Sequence, residues 1–144
     1  MQSFPHVYSV SASSASAGNV VVSAATLPDL ETAAPPEFDG PGGYWSPESL
    51  LCAAVADCFI LSFRAFARGS RFEWLALACR VVGTLDRVGG VAKFTHFATH
   101  ATLTVAEGTD ADKARLLLAK AEHGCLVSNS LSATRELVSE VVNP

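Results

Sequence analysis

The stretch from Ser46 to Gly69 constrains this chain most, because a helix start, an almost wholly apolar body and a helix stop follow one another there. Ser46 is a preferred N-cap residue, Pro47 occupies the first helical position, where its missing N–H costs nothing, and Glu48 sets a carboxylate at the positive end of the helix dipole. The predicted helix runs to about Arg68, with Arg64 and Arg68 at its negative end and Gly69 to stop it. Leu50, Leu51, Val55, Phe59, Ile60, Leu61, Phe63 and Phe66, with the alanines between them, nearly encircle it. A helix apolar all round is normally buried all round, so this is the expected central helix.

The other elements arrange themselves around it. Small and β-branched residues from Phe4 to about Ser13 and from Asn19 to about Ala25, broken at Gly18, predict an opening hairpin. The segment from Pro28 to Gly43 holds four prolines and three glycines and is predicted to be an ordered loop. Trp74 to Val88 and Ala92 to Val105 predict two long strands joined at Gly89-Gly90, a strong hairpin signal. A second helix is predicted from Asp110 to about Glu122, with Leu116, Leu117 and Leu118 inward, closing at Gly124. After the polar segment Ser128-Asn129-Ser130, residues Leu137 to Val142 predict a last short strand.

Strands grouped together, without strict strand-helix alternation, predict an α+β class, and 144 residues predict one domain spanning 1–144. With 49% hydrophobic and only 17% charged residues, a chain this size lacks the sheet area to cover its central helix, so an intertwined homodimer is expected to complete it. A net charge of -4 and no run of Lys or Arg argue against nucleic acid or anionic lipid as partners. No basic segment leads into an apolar one at the N-terminus, and Asp57 interrupts the apolar run, so neither export nor a membrane is expected and the predicted compartment is the reducing cytoplasm. Cys52, Cys58, Cys79 and Cys125 are irregularly spaced without a CxxC, and His96 and His100 on one strand stand about 13 Å apart. Neither a metal site nor a cofactor is predicted.

What chemistry the sequence offers lies in thiols. Reducing a peroxide takes a thiolate to attack the O–O bond and a second thiol to trap the sulfenic acid. Cys58 lies mid-helix and Cys125 directly follows the second helix, so packing one helix on the other would bring the sulfurs together. On the residues alone, a redox pair and two inert core fillers both remain open. Cys52 and Cys79 read as packing residues, Trp45 and Phe59 as either pocket walls or core, and His123 as either a proton-transfer group for Cys125 or a solvated histidine at a helix C-terminus.

The run Pro36-Glu37-Phe38-Asp39-Gly40-Pro41-Gly42-Gly43-Tyr44-Trp45-Ser46-Pro47-Glu48-Ser49-Leu50-Leu51, continuing through Ala53-Ala54 to Asp57-Cys58-Phe59, resembles the signature of the OsmC/Ohr family of osmotically inducible and organic hydroperoxide resistance proteins. Ala121-Glu122-His123-Gly124-Cys125-Leu126-Val127-Ser128-Asn129-Ser130-Leu131 resembles that family's second cysteine segment. The resemblance implies an intertwined homodimer with antiparallel sheets wrapped around two helices, the long one central and buried. It implies a peroxiredoxin-like thiol peroxidase for organic hydroperoxides, regenerated by a dithiol reductant of lipoyl type. It puts the attacking cysteine at Cys58, the resolving one at Cys125, and at Glu48 a carboxylate that orients a catalytic arginine.

That arginine is where the chain departs from the pattern. The family carries it in a turn between the first two strands, and Ser14-Ala15-Ser16-Ala17-Gly18-Asn19 has none. With no cation beside it, a buried Cys58 is expected to stay protonated and slow; Arg71, Arg80, Arg87, Arg115 or Arg135 could reach it only through the fold or the partner chain. Leu126 stands where family peroxidases often have proline. The alternative expectation is therefore a non-catalytic dimer of the same fold that binds an apolar small molecule.

Overall fold

In the computed structural model, which describes residues 1–144, the chain runs β1 (Ser11–Ser13), β2 (Val20–Ser23), β3 (Leu30–Thr32), α1 (Pro47–Gly69), β4 (Ala76–Val88), β5 (Val91–Thr104), α2 (Ala111–His123), α3 (Leu126–Asn129) and β6 (Thr134–Val142). It is an α+β protein whose strands form two three-stranded sheets, ordered β1-β2-β3 and β4-β5-β6. The residues divide into two compact units, Met1–Leu50 and Leu51–Pro144, with the passage between them inside α1.

In the first unit, β1 and β2 form the expected hairpin, with Ala12 opposite Val22, although β1 begins only at Ser11. The Pro28–Gly43 segment is not wholly a loop. Leu30–Thr32 pairs with β2 as a third antiparallel strand, since three residues clear of proline suffice to extend an existing edge. The prolines take over beyond it, with one 3-10 turn at Pro36–Phe38. The start of α1 is a capping box in which serine replaces the usual acid: Ser49 N–H donates to Ser46 Oγ (3.1 Å), and Ser46 N–H donates to Ser49 Oγ (2.8 Å).

In the second unit, β4 and β5 pair antiparallel through a turn at Gly89 (φ 58) and Gly90 (φ 81), the left-handed geometry a two-residue hairpin needs. β6 pairs with β5 in parallel, from His96 opposite Thr134 to Thr104 opposite Val142. This sheet is therefore mixed where antiparallel pairing was expected. The chain returns from β5 through α2 and α3, and a helical crossover delivers the next strand in the same direction. Alternate residues of β5 and its continuation (Phe97, Thr99, Ala101, Leu103 and Val105) are buried, so one sheet face supplies the core. Against it lie Phe59, Phe63 and Ala67 of α1 and Ala114, Leu117, Leu118 and Ala121 of α2, each set at helical spacing.

Two helix expectations need correction. Leu116 is 56% exposed, because three consecutive residues span about 200° of a helix and cannot all face one side. Within one chain α1 buries a single stripe and leaves Leu61 (52%) and Phe66 (37%) uncovered. It has the length and apolar composition of a membrane-crossing segment, yet its Phe59 and Phe63 are sealed in the protein core. Asp110 caps α2 by accepting from the N–H groups of Asp112 and Lys113, both at 3.0 Å. The polar segment after Cys125 proves to hold a one-turn helix, α3.

Close approach of α1 to β4 depends on Gly83. A Cβ there would lie 2.8 Å from Cys52 Sγ and 2.9 Å from Phe94 Cε1. Gly83→Val is expected to cost about 1–3 kcal/mol by overpacking, read as a lower urea midpoint with unchanged slope. A midpoint equal to wild type would mean that the helix does not rest on this strand as described.

Candidate active site

Cys58 lies mid-way along α1, and Ser62, one turn on, sets its Oγ 4.0 Å from the Cys58 sulfur. Gly124 closes α2, and Cys125 serves as the N-cap position of α3. Packing α2 against the same core as α1 turns Cys125 under the longer helix, where its thiol points at the Val55 carbonyl, 4.0 Å away. There the two sulfurs face each other closely enough for each to alter the other's ionisation, and neither is in a disulfide. Cys58 is half-buried and Cys125 only 2% exposed.

The two thiols are pushed in opposite directions. Burial works to raise Cys58, but the backbone N–H of Val127, the Cys125 thiol, the Ser62 hydroxyl and the backbone N–H of Leu126 together outweigh it, and the thiol falls below its ordinary value. Cys125 is raised, first by burial and then by the neighbouring Cys58, with only Ser128 working the other way. Where no arginine stands beside Cys58, peptide dipoles from the start of α3 pull its thiol towards the thiolate, against the burial that was expected to keep it protonated. Between the two titrations Cys58 is an anion and Cys125 still a thiol. Alkylation by iodoacetamide should follow, with Cys58 reacting at a pH below the free-cysteine midpoint of about 8.5 and Cys125 lagging behind it. Site-resolved mass spectrometry that found Cys58 titrating above that value would contradict this ordering.

Cys58 opens into a cleft of 460 Å³ walled by Ala54, Asp57, Leu61, Ser62, Ala65, Leu126 and Val127. The walls are mostly hydrocarbon, with Asp57 and Ser62 as the polar side chains. Such a cleft admits an apolar molecule bearing one small polar group.

Not every residue singled out in the sequence gathers here. Phe59 is 1% exposed and belongs to the core, not to the cleft wall. Trp45 is 50% exposed in the first unit, where its carbonyl accepts from Ala33 N–H (3.0 Å). Glu48, also in the first unit, has a buried Oε2 without a hydrogen-bond partner. Cys52 and Cys79 behave as packing residues: burial raises both thiols, and Cys79 donates to the Ala56 carbonyl. His123 is exposed at the end of α2, and His96 is engaged by Thr134 and Glu136.

Sequence reasoning missed Ser62, Ser128 and the Leu126 and Val127 amides. Ser62 was legible, four residues after Cys58 and so on the same helix face. The amides were not, because every residue has one and only the fold aims it.

Residues 40–139 match the model of the OsmC-like protein family. The chain belongs to this family. A relative, an uncharacterized Bacillus subtilis (strain 168) protein named YmaD, is 28% identical over 109 residues, 74% of this chain and 73% of its own. Among solved structures, an organic hydroperoxide resistance protein OsmC from Legionella pneumophila superposes with a TM-score of 0.74 at 26% identity, covering 95% of this chain and 98% of that one. An OsmC-like protein from Mycoplasma pneumoniae reaches a TM-score of 0.80 at only 13% identity, over 96% and 99% of the chains, so the OsmC-like fold outlasts most of its sequence. Cys58 and Cys125 both lie inside the matched stretch, and the arginine-free turn Ser14–Asn19 lies outside it.

Proposed function

We propose that this OsmC-like protein is a thiol peroxidase that reduces organic hydroperoxides through Cys58 and Cys125. The observation that carries this reading is the meeting of two sulfurs, 67 residues apart in sequence, with the half-buried one biased towards thiolate and the buried one towards thiol. The name of the Legionella relative, an organic hydroperoxide resistance protein, points the same way.

In the proposed cycle the Cys58 thiolate attacks the distal peroxide oxygen. The O–O bond breaks, the alkoxide takes a proton and leaves as an alcohol, and Cys58 becomes a sulfenic acid. The Cys125 sulfur then attacks the Cys58 sulfur, water departs, and a disulfide forms, which a dithiol reductant of lipoyl type returns to two thiols while closing its own disulfide. The apolar cleft suits an alkyl hydroperoxide better than hydrogen peroxide. Leu61, Phe66 and Leu126 stand exposed in the same unit, apolar side chains that a second copy would cover in a homodimer. Thiols that must be returned to the reduced state suit the cytoplasm.

The test is stopped-flow oxidation of the reduced protein by cumene hydroperoxide, with thiols counted before and after. Rapid loss of two thiols is expected in wild type, and in Cys125→Ser a trapped sulfenic acid that dimedone labels at Cys58. Slow, non-saturating oxidation with no preference for Cys58 would sink the proposal. A second reading is favoured by an apolar cavity of 500 Å³ in the first unit, lined by Val20, Val22, Thr32, Pro35, Phe38 and Leu50 with Glu48 at its wall. With no arginine for Glu48 to orient, that cavity would hold an apolar ligand carrying one donor group. Retention of such a ligand by a protein inert to hydroperoxides would favour it.

A further inference from the structure

One cation lies beside the thiol segment without facing a sulfur. Arg135 is the first residue of β6 whose side chain falls on the core-facing side of the sheet; Leu137 and Val141 follow it there at alternate positions. It stands opposite Phe97 in the parallel ladder with β5, so its backbone is fixed by strand pairing. Its guanidinium reaches both ends of the segment that carries Cys125. Nε donates to Glu122 Oε1 at 2.6 Å, Nη2 donates to the Glu122 carbonyl, and Nη1 donates to Asn129 Oδ1 at 2.6 Å.

Backbone hydrogen bonds close the rest of the ring. The Cys125 N–H donates to the Glu122 carbonyl that Arg135 also holds (3.3 Å), and the Asn129 N–H donates to the Cys125 carbonyl (2.9 Å). Cys125 is therefore suspended between two points that one rigid fork grips, with Leu126 and Val127 on the short arc between them. Glu122 and Arg135 side chains are only 22% and 23% exposed, which shields the pair from solvent screening.

We propose that Arg135 is a positioning residue for the thiol pair, holding the Glu122–Asn129 segment so that Cys125 and the Leu126 and Val127 amides face Cys58. The inference rests on the reading of Cys58 and Cys125 as a working pair. The Ser14–Asn19 turn has no arginine to offer; Arg135 acts through the backbone it orders, with its charge matched by Glu122. Lysine cannot substitute, because one ammonium does not reach a carboxylate, a carbonyl and an amide oxygen in one plane.

The test uses two readouts that need no hydroperoxide: the pH dependence of Cys58 alkylation, and the rate at which diamide closes the Cys58–Cys125 disulfide. In Arg135→Lys the alkylation midpoint should move up, towards that of a free thiol, and disulfide closure should slow about ten- to a hundredfold, since a displacement near 1 Å has effects of that size. Asn129→Ala, which removes one exposed arm of the ring, should give a smaller shift in the same direction, and it stands as the test if Arg135→Lys fails to fold. Loss of thermal stability with both thiol readouts unchanged, in either folded variant, would reduce Arg135 to a structural residue and overturn the inference. If wild type proves inert to cumene hydroperoxide while these shifts appear, the peroxidase proposal fails and the positioning role stands.

Discussion

Cys58→Ser should abolish hydroperoxide reduction, lowering the second-order rate with cumene hydroperoxide by on the order of a thousandfold or more. Serine keeps the size of the side chain but holds its proton at neutral pH, so the Val127 and Leu126 amides would face a neutral hydroxyl. The cost in stability should be small, because Cys58 is half-buried at a cleft and already neighbours a hydroxyl, Ser62. That separation makes the result interpretable. Cys125 and the apolar cleft remain in the variant, so any residual two-thiol oxidation would have to run through Cys52 or Cys79, whose thiols burial pushes up. The measurement is single-turnover thiol loss by stopped flow, beside a urea melt of the same preparation. A variant that folds and still reacts within tenfold of wild type would show that Cys58 is not the nucleophile.

Phe63→Ala should be the most damaging single change to the fold. Phe63 is 0% exposed in the core where α1 meets the second sheet, and its ring stands edge-on to Trp74, centroids 5.3 Å apart at 83°. Truncation removes the buried ring and leaves a cavity that helix and sheet cannot both close around, a cost of about 3–5 kcal/mol. The edge-to-face contact is part of that loss. Against a total of roughly 5–15 kcal/mol for a domain of this size, little stability would remain. In urea, with a slope of about 1–3 kcal/mol/M, the midpoint should fall by roughly 2 M at unchanged slope, compared at one protein concentration because association would shift it. A fall of less than about 0.5 M would mean that the α1 stripe is not packed as described. Phe66, three residues on and 37% exposed, serves as the control; its truncation should cost far less in the isolated chain.

Most of the local architecture could be read from the residues because its causes are local. Ser46 and Pro47 announce α1, Asp110 caps α2, and Gly89-Gly90 turns β4 into β5, each through backbone groups within a few positions. The short elements escaped. β3 exists only because β2 offers it an edge, and α3 is one turn long, too brief to leave a period.

The site divides along the same line. Motif resemblance made Cys58 and Cys125 the candidate pair, and arithmetic on α1 was enough to place Ser62 beside Cys58. Only the tertiary structure decided that β6 runs parallel to β5, that Cys125 lies beneath α1, that the Leu126 and Val127 amides favour the Cys58 thiolate, and that Arg135 grips Glu122. A helix or a turn depends on neighbours along the chain, whereas the ionisation of a thiol depends on whatever dipoles lie within a few ångströms, and packing alone chooses those.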